Sequence, residues 1–332
     1  MTKSKRIALL TSGGDAPGMN AAIRGVVLAC EKHDVQVYGY LQGYNGLIDD
    51  NYCLLTSDDV AQIVHLGGTI LKSARCPQMC DDDGLKQAAT NLMKSKIDAL
   101  IVIGGDGSFN GLLALKRFWP GQMLGLPGTI DNDLDNTDYT IGFSTAINTA
   151  LDAIDKIRDT AQAFDRVFAI ELMGRHSGHL TFNTGIASGA EHIMSFENTN
   201  VSDTDKTLSE LAQEINVIKQ KRNRSYVIVV AENLWPGGVQ TLATQLKQSH
   251  NIDCTVCVLG HIQRGGNPDA KDRVMATRMG VAAVQAVLLG ETDKMVGEVN
   301  QEMVLVPLKT AIQQTKAVNS HLVEMQSTIL KG

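Results

Sequence analysis

One feature constrains this chain more than any other: short apolar, β-branched runs alternate with stretches of helical spacing almost throughout. Residues 6–11, 35–41, 99–103, 123–126, 167–171, 226–231 and 255–259 read as buried strands. Residues 20–31, 85–94, 144–163, 204–221 and 272–289 read as helices between them. Such βαβ alternation predicts an α/β fold with parallel sheet covered by helices on both faces. In these folds ligands bind at the carboxyl ends of strands. The glycines obey that rule. Gly13-Gly14, Gly104-Gly105-Asp106-Gly107-Ser108, Pro127-Gly128, Gly174-Arg175 and Gly260 through Gly266 each follow a predicted strand.

Composition narrows the class of protein. The 332 residues suffice for two packed domains, and 43% hydrophobic with 20% charged content suits a globular enzyme. A net charge of -6 argues against nucleic acid or an anionic membrane as the main partner. No apolar run approaches the roughly 20 residues of a membrane span. The basic start at Met1 to Arg6 lacks the apolar core of a signal peptide, so a cytoplasmic location is expected. Cys254 and Cys257 form a C-x-x-C. On a strand, residues three apart face opposite ways, which favours a structural reading over a metal or redox site.

The strand-end loops offer phosphate chemistry. Glycine lets backbone approach a phosphate, and a following helix presents free N–H groups. Neither G-x-x-x-x-G-K-[ST] nor G-x-G-x-x-G occurs in these loops, which disfavours a P-loop enzyme and a dinucleotide dehydrogenase. Asp106 is placed either to hold Mg²⁺ beside phosphates or to cap a helix, a role Ser108 could equally fill. Asp131 and Asp133 bracket Asn132 in an acidic loop, either as a general base with its partner or as a simple Asx turn. Arg75, Arg166, Arg175 and Arg264 are candidate phosphate ligands, because a guanidinium binds phosphate bidentately.

These residues fall in recognisable motifs. LTSGGDAPGMNAAIRG at 10–25, SAR at 73–75, GGDGS at 104–108, PGTIDND at 127–133, DYTIGF at 138–143, MGR at 173–175 and LGHIQRGG at 259–266 resemble the bacterial-type, ATP-dependent 6-phosphofructokinases, in that family's order. The resemblance runs over about residues 6–302. It implies two doubly wound α/β domains with mostly parallel sheets. Residues 1–141 plus about 263–312 would bind ATP and Mg²⁺, and 142–262 plus about 313–332 the sugar phosphate. The family forms a homotetramer and phosphorylates the 1-hydroxyl of fructose 6-phosphate. By resemblance, Gly13, Arg75, Cys76, Gly105, Asp106, Gly107 and Ser108 would line the ATP site, with Asp106 on the metal. Asp131 would be the base, supported by Thr129 and Asp133, and Arg175 would neutralise the moving phosphoryl group. Met173, Gly174, Glu232, His261 and Arg264 would hold the sugar phosphate, with Arg166 reaching in from a neighbouring subunit. Related pyrophosphate-using enzymes carry Asp after the Asp of this glycine loop and Lys before TIDND. Gly107 and Gly128 stand there in this chain, which implies ATP as donor.

The chain departs from the family's pattern at several ligand positions. Thr255 replaces an Arg that would join Arg166 on the sugar's phosphate, so weaker binding of fructose 6-phosphate or a different sugar phosphate is expected. Lys271 and His250 are cations that could compensate. At the family's effector site Arg24, Arg158, Glu191 and Lys221 match, but Leu28 and Ser57 replace arginines, Asn223 a lysine and Gln62 an aspartate. Blunted or altered effector response follows. Cys76 stands where an aromatic is common. A non-catalytic regulatory subunit is the rival reading, opposed by the presence of Asp106, Asp131, Asp133 and Arg175 together.

Overall fold

A computed structural model describes residues 5–163, 166–222 and 225–329. Two compact units share the chain. The first comprises Met1–Ile130, Leu134–Thr145 and Arg264–Lys316, and the second Asp131–Asp133, Ala146–Gln263 and Ala317–Gly332.

The first unit is built on a seven-stranded sheet of β1 (Arg6–Thr11), β2 (Gln36–Tyr40), β3 (Tyr52–Leu55), β4 (Ala99–Gly104), β5 (Gln122–Pro127), β10 (Lys294–Val299) and β11 (Glu302–Pro307). Their order is β11-β10-β5-β4-β1-β2-β3. All neighbours run parallel except the two outermost pairs, where β3 and β11 are antiparallel. Pleating sends alternate side chains to opposite faces. Ala8, Leu10, Tyr38, Tyr40, Leu100, Val102 and Met123 pack with Leu85, Leu92, Phe109 and Leu112 from two helices, Asp82–Lys94 and Asp106–Leu115. On the other face the helices Met19–Lys32 and Ala270–Leu288 cross closely. Gly25 and Gly280 permit that crossing. A Cβ on Gly25 would lie 2.6 Å from the Thr277 carbonyl oxygen, and one on Gly280 2.5 Å from that of Ala22.

The second unit carries four parallel strands, β6 (Val167–Leu172), β7 (His192–Met194), β8 (Tyr226–Ala231) and β9 (Cys254–Val258), ordered β7-β8-β6-β9. Val167, Ala169, Ile228 and Val230 pack with the helices Thr204–Arg222 and Val239–His250. Phe168, Ile170, Val227 and Val229 pack with Ala150 and Ile154 of the helix Phe143–Gln162. Cys254 joins the first of these clusters and Cys257 the second, so the C-x-x-C thiols lie on opposite faces of β9. Mostly parallel α/β sheets are thus what the alternation predicted. No helix among the described residues is long and apolar enough to cross a membrane.

Candidate active site

In the first unit the glycine loops gather at the carboxyl ends of β1, β4 and β5. Ser73 Oγ donates to the Gly13 carbonyl at 2.6 Å, which pins the SAR segment and its Arg75 beside the loop after β1. Arg75 is exposed, and its carbonyl accepts from Asn45 Nδ2 at 3.3 Å. Cys76 is half-buried against the core, and burial raises its thiol above the usual range. Gly104 ends β4, and Gly105 opens the helix Asp106–Leu115 without a side-chain cap. The capping alternative for Asp106 and Ser108 is therefore not what the fold uses. Asp106 is half-buried in the first helical turn, where the helix dipole favours an anion. Gly107 is exposed, and a Cβ there would meet nothing within 4 Å. Gly128 is crowded instead, with Ile103 Cγ2 at 2.8 Å from where its Cβ would be.

Thr129 is 8% exposed and lies against Gly105, whose Cβ would sit 3.6 Å from that of Thr129. Its carbonyl accepts from Thr140 Oγ1 at 2.6 Å. Ile141 N donates to the Pro127 carbonyl at 2.7 Å, so the DYTIGF segment braces the PGTIDND loop from behind. Asp272 completes that brace. Fully buried, it accepts from Gly142 N, Thr145 N and Thr145 Oγ1 at 2.9, 2.8 and 2.5 Å. Burial lifts its carboxyl to about 6, although these donors pull the other way. Arg264 belongs to this unit too. Its Nη1 donates to the Asp15 carbonyl at 3.2 Å, and the guanidinium lies over Gly14, where a Cβ would come within 2.6 Å of it.

The second unit assembles another set. Asp131 is 7% exposed, and Asn132 beside it is buried with a left-handed φ of 53°. Asp133 is half-buried. Ser177 Oγ donates to the Asp131 carbonyl at 3.0 Å, and Ser177 N to the Gly174 carbonyl at 3.0 Å. The acidic loop is thereby tied to the turn after β6. That turn has φ of 143° at Gly174 and 59° at Arg175. The Arg175 side chain is exposed, while its backbone is held. Glu232 Oε1 accepts from Gly174 N at 3.0 Å and Arg175 N at 2.7 Å, and Asn233 Nδ2 donates to the Arg175 carbonyl at 3.1 Å. Met173 N donates to Gln263 Oε1 at 2.8 Å. His261 is exposed on the loop after β9. Below the turn, burial holds the Glu171 carboxyl above the usual range, against a hydrogen bond from Val239, and the neighbouring Glu232 adds to the rise.

The remaining predicted residues are more scattered. Arg166 is exposed at the entry to β6. Arg158 Nη1 meets Glu191 Oε1 at 2.9 Å, its Nη2 donates to the Gly189 carbonyl at 2.9 Å, and Glu191 Oε2 accepts from Val227 N at 2.8 Å. Arg24 is half-buried in the helix Met19–Lys32. The side chain of Lys221, and Asn223 altogether, lie outside the described residues. Lys271 sits over the Tyr139 ring, 2.9 Å from its centroid. Sequence reasoning missed Ser73, Ser177, Asn233 and Gln263, which act through backbone hydrogen bonds. Ser73 and Gln263 lie inside the quoted motifs and Ser177 two residues after the Gly174-Arg175 loop, the only signal that could have pointed to them.

Comparison with known proteins agrees with this arrangement. A family model described as Phosphofructokinase matches residues 6–287. The ATP-dependent 6-phosphofructokinase 1 of Thermus thermophilus is 45% identical over 325 residues, 98% of this chain and 99% of that protein. The ATP-dependent 6-phosphofructokinase of Clostridioides difficile is 44% identical over 322 residues, 97% of this chain and 98% of that one. The structure of phosphofructokinase from Saccharomyces cerevisiae matches with a TM-score of 0.88 and 34% identity. It covers 98% of this chain, which spans 48% of the yeast chain. Identity at this level over nearly the whole chain, with the family model matched over residues 6–287, means that the chain belongs to the phosphofructokinase family.

Proposed function

We propose that this chain transfers the γ-phosphoryl group of ATP to the 1-hydroxyl of fructose 6-phosphate, giving fructose 1,6-bisphosphate and ADP, a step of glycolysis. The observation that carries the reading is the 3.0 Å hydrogen bond from Ser177 Oγ to the Asp131 carbonyl, which joins the acidic loop to the Arg175 turn. Asp131 takes the proton of the 1-hydroxyl as that oxygen attacks the γ-phosphorus. The bond from phosphorus to the bridging oxygen breaks, and ADP leaves with the electron pair. Arg175 neutralises charge on the moving phosphoryl group from a backbone fixed in advance. Thr129 and Asp133 flank the base. Met173, Gly174, Glu232, His261 and Arg264 receive the sugar phosphate.

The first unit takes the nucleotide, through Gly13, Arg75, Cys76 and Gly105 to Ser108. Open space at Gly107 supports a donor larger than pyrophosphate. Asp106 suits Mg²⁺. Among the described residues no three His, Cys, Asp or Glu side chains converge, so the ion would share one carboxylate with phosphate oxygens and water, as Mg²⁺ in kinases commonly does. When bound, it offsets phosphate charge. The reading includes a cytoplasmic homotetramer in which exposed Arg166 serves a neighbouring copy. It also includes an effector site of Arg24, Arg158, Glu191 and Lys221 with a blunted response.

Asp131→Asn tests the reaction. Loss of a general base should lower kcat at least about a hundredfold. The melting temperature should stay within about 2 °C, since the two side chains have the same shape. Pyrophosphate in place of ATP should give only background rates with the wild type. Turnover within tenfold of wild type in the variant would sink the assignment of Asp131.

A further inference from the structure

We infer that Gln263 is a positioning residue, whose side-chain amide fixes the Met173-Gly174-Arg175 turn by accepting the Met173 N–H and so sets where Arg175 meets the transferring phosphoryl group. The inference rests on the reaction proposed above and adds a residue to it.

The turn cannot hold itself. Gly174 and Arg175 both have positive φ, and for Arg175 that conformation is intrinsically unfavourable. Three successive N–H groups are instead captured by side chains from two other strand ends. Glu232, after β8, takes those of Gly174 and Arg175, and Gln263, after β9, takes that of Met173 at 2.8 Å. Removing the Gln263 contact frees the N-terminal side of the turn while leaving the Glu232 contacts in place.

Gln263 is also an awkward residue to bury. Its exposure is 0%, and Nε2 has no hydrogen-bond partner among the described residues. The amide cannot flip to relieve this, because Nε2 would then face the Met173 N–H, donor against donor. A buried, unpaired donor costs free energy. A methionine would fill similar space without it. Stability alone therefore does not call for glutamine here, and the bond that glutamine supplies goes to the Arg175 turn.

Gln263→Met and Gln263→Glu in the full chain test this. The methionine variant removes one unpaired group and creates another at Met173 N, so its melting temperature should stay within about 2 °C of wild type. Its kcat should fall about tenfold, the worth of one hydrogen bond, with KM for ATP within twofold. Amide hydrogen exchange in the peptide 172–178 should speed up about tenfold. The glutamate variant keeps an acceptor of equal reach and should hold the exchange rate there within about threefold of wild type. Methionine-variant kcat and local exchange both within twofold of wild type would overturn the inference. So would a melting temperature lowered by more than about 5 °C with exchange accelerated across the whole chain, which is what a packing role predicts. Exchange is read without turnover, so its failure strikes this inference alone. Absence of wild-type turnover with ATP and fructose 6-phosphate strikes the reaction instead.

Discussion

Gly104 and Gly107 flank the turn from β4 into its helix for opposite reasons, and substitution at each should separate folding from nucleotide binding. A Cβ on Gly104 would collide with Ser108 Oγ and lie 2.6 Å from the Ser12 carbonyl oxygen. Such an approach is roughly 1 Å inside the van der Waals optimum. The Ser12 oxygen is backbone and cannot retreat alone, since Ser12 N is bonded to the Ile103 carbonyl at 2.9 Å. Overpacking of this kind costs about 1–3 kcal/mol. Gly104→Ala should therefore lower stability by that amount in the absence of ligand. At Gly107 an added Cβ meets nothing within 4 Å, and no positive φ is demanded. Gly107→Asp should leave the ligand-free stability within about 0.5 kcal/mol. It brings a carboxylate toward the bound phosphates, however. At about 5 Å and an effective dielectric near 20, the repulsion is roughly 3 kcal/mol, or about a hundredfold in ATP affinity. Thermal or urea unfolding with and without Mg-ATP reads both effects, because saturating ligand adds about 2.7 kcal/mol at a hundred times its Kd. The Gly107→Asp protein should melt like wild type without ATP and lose most of the ATP-induced shift. Equal destabilisation by the two substitutions, or a full ATP shift in the Gly107 variant, would refute the reasoning.

The other predictions concern pH, substrate and effectors. Asp272 has a folded pKa raised from 3.8 to about 6, so folding favours its protonated form. Its ionisation then costs stability as pH rises from about 4 through 6, on the order of 3 kcal/mol in full. The stability difference between wild type and Asp272→Asn should grow in favour of wild type as the pH is lowered from about 7 to about 5. A difference independent of pH would contradict the assigned burial effect. Thr255 is exposed on β9 at the edge of its sheet, so Thr255→Arg should fold normally. A restored charge-assisted contact of about 1.5–3 kcal/mol should lower KM for fructose 6-phosphate about ten- to a hundredfold, and an unchanged KM would remove Thr255 from the substrate site. ADP and phosphoenolpyruvate should shift the saturation curve weakly. Full activation by the first together with full inhibition by the second would show that the losses at Leu28 and Ser57 do not matter.

How far the sequence could be read depended on whether a signal was local. The seven strands expected from apolar runs all form, with ends shifted by no more than a few residues. The hairpin of β10 and β11 escaped because its turn, Asn300-Gln301, adopts φ of 51° and 67° without the glycine that usually announces such a turn. β7 escaped because it is three residues long. The helix Asp106–Leu115 was hidden by Gly107 and Gly111, both unfavourable in helices. Gly111 is there because a Cβ would press on the Tyr44 ring at 3.0 Å. The glycine and acidic loops were legible because phosphate chemistry restricts residue type at fixed spacing. Gln263 was not, since its role lies in one bond to a backbone group 90 residues away.

The register of the second sheet explains which departures from the family's pattern this chain can carry. Leu172 pairs with Ala231 and Glu171 with both Val230 and Val258, so β6, β8 and β9 end side by side. Their three following loops then reach one another through Gln263, Glu232 and Asn233. A change that disturbs this register, or removes one of those contacts, disturbs the Arg175 backbone with it. Thr255 is exposed on the edge strand, away from these loop contacts. Leu28 and Ser57 are half-buried outside the sheets, and Ser57 Oγ donates to Glu31 Oε1 at 2.8 Å, where a guanidinium would have offered charge to a ligand. In the proposed reading, these positions would alter what binds, and how tightly, without a folding cost. The turn that bears Arg175 has no such freedom, because the same hydrogen bonds that fix its strained backbone would, in the proposed reaction, also fix the charge that meets the phosphoryl group.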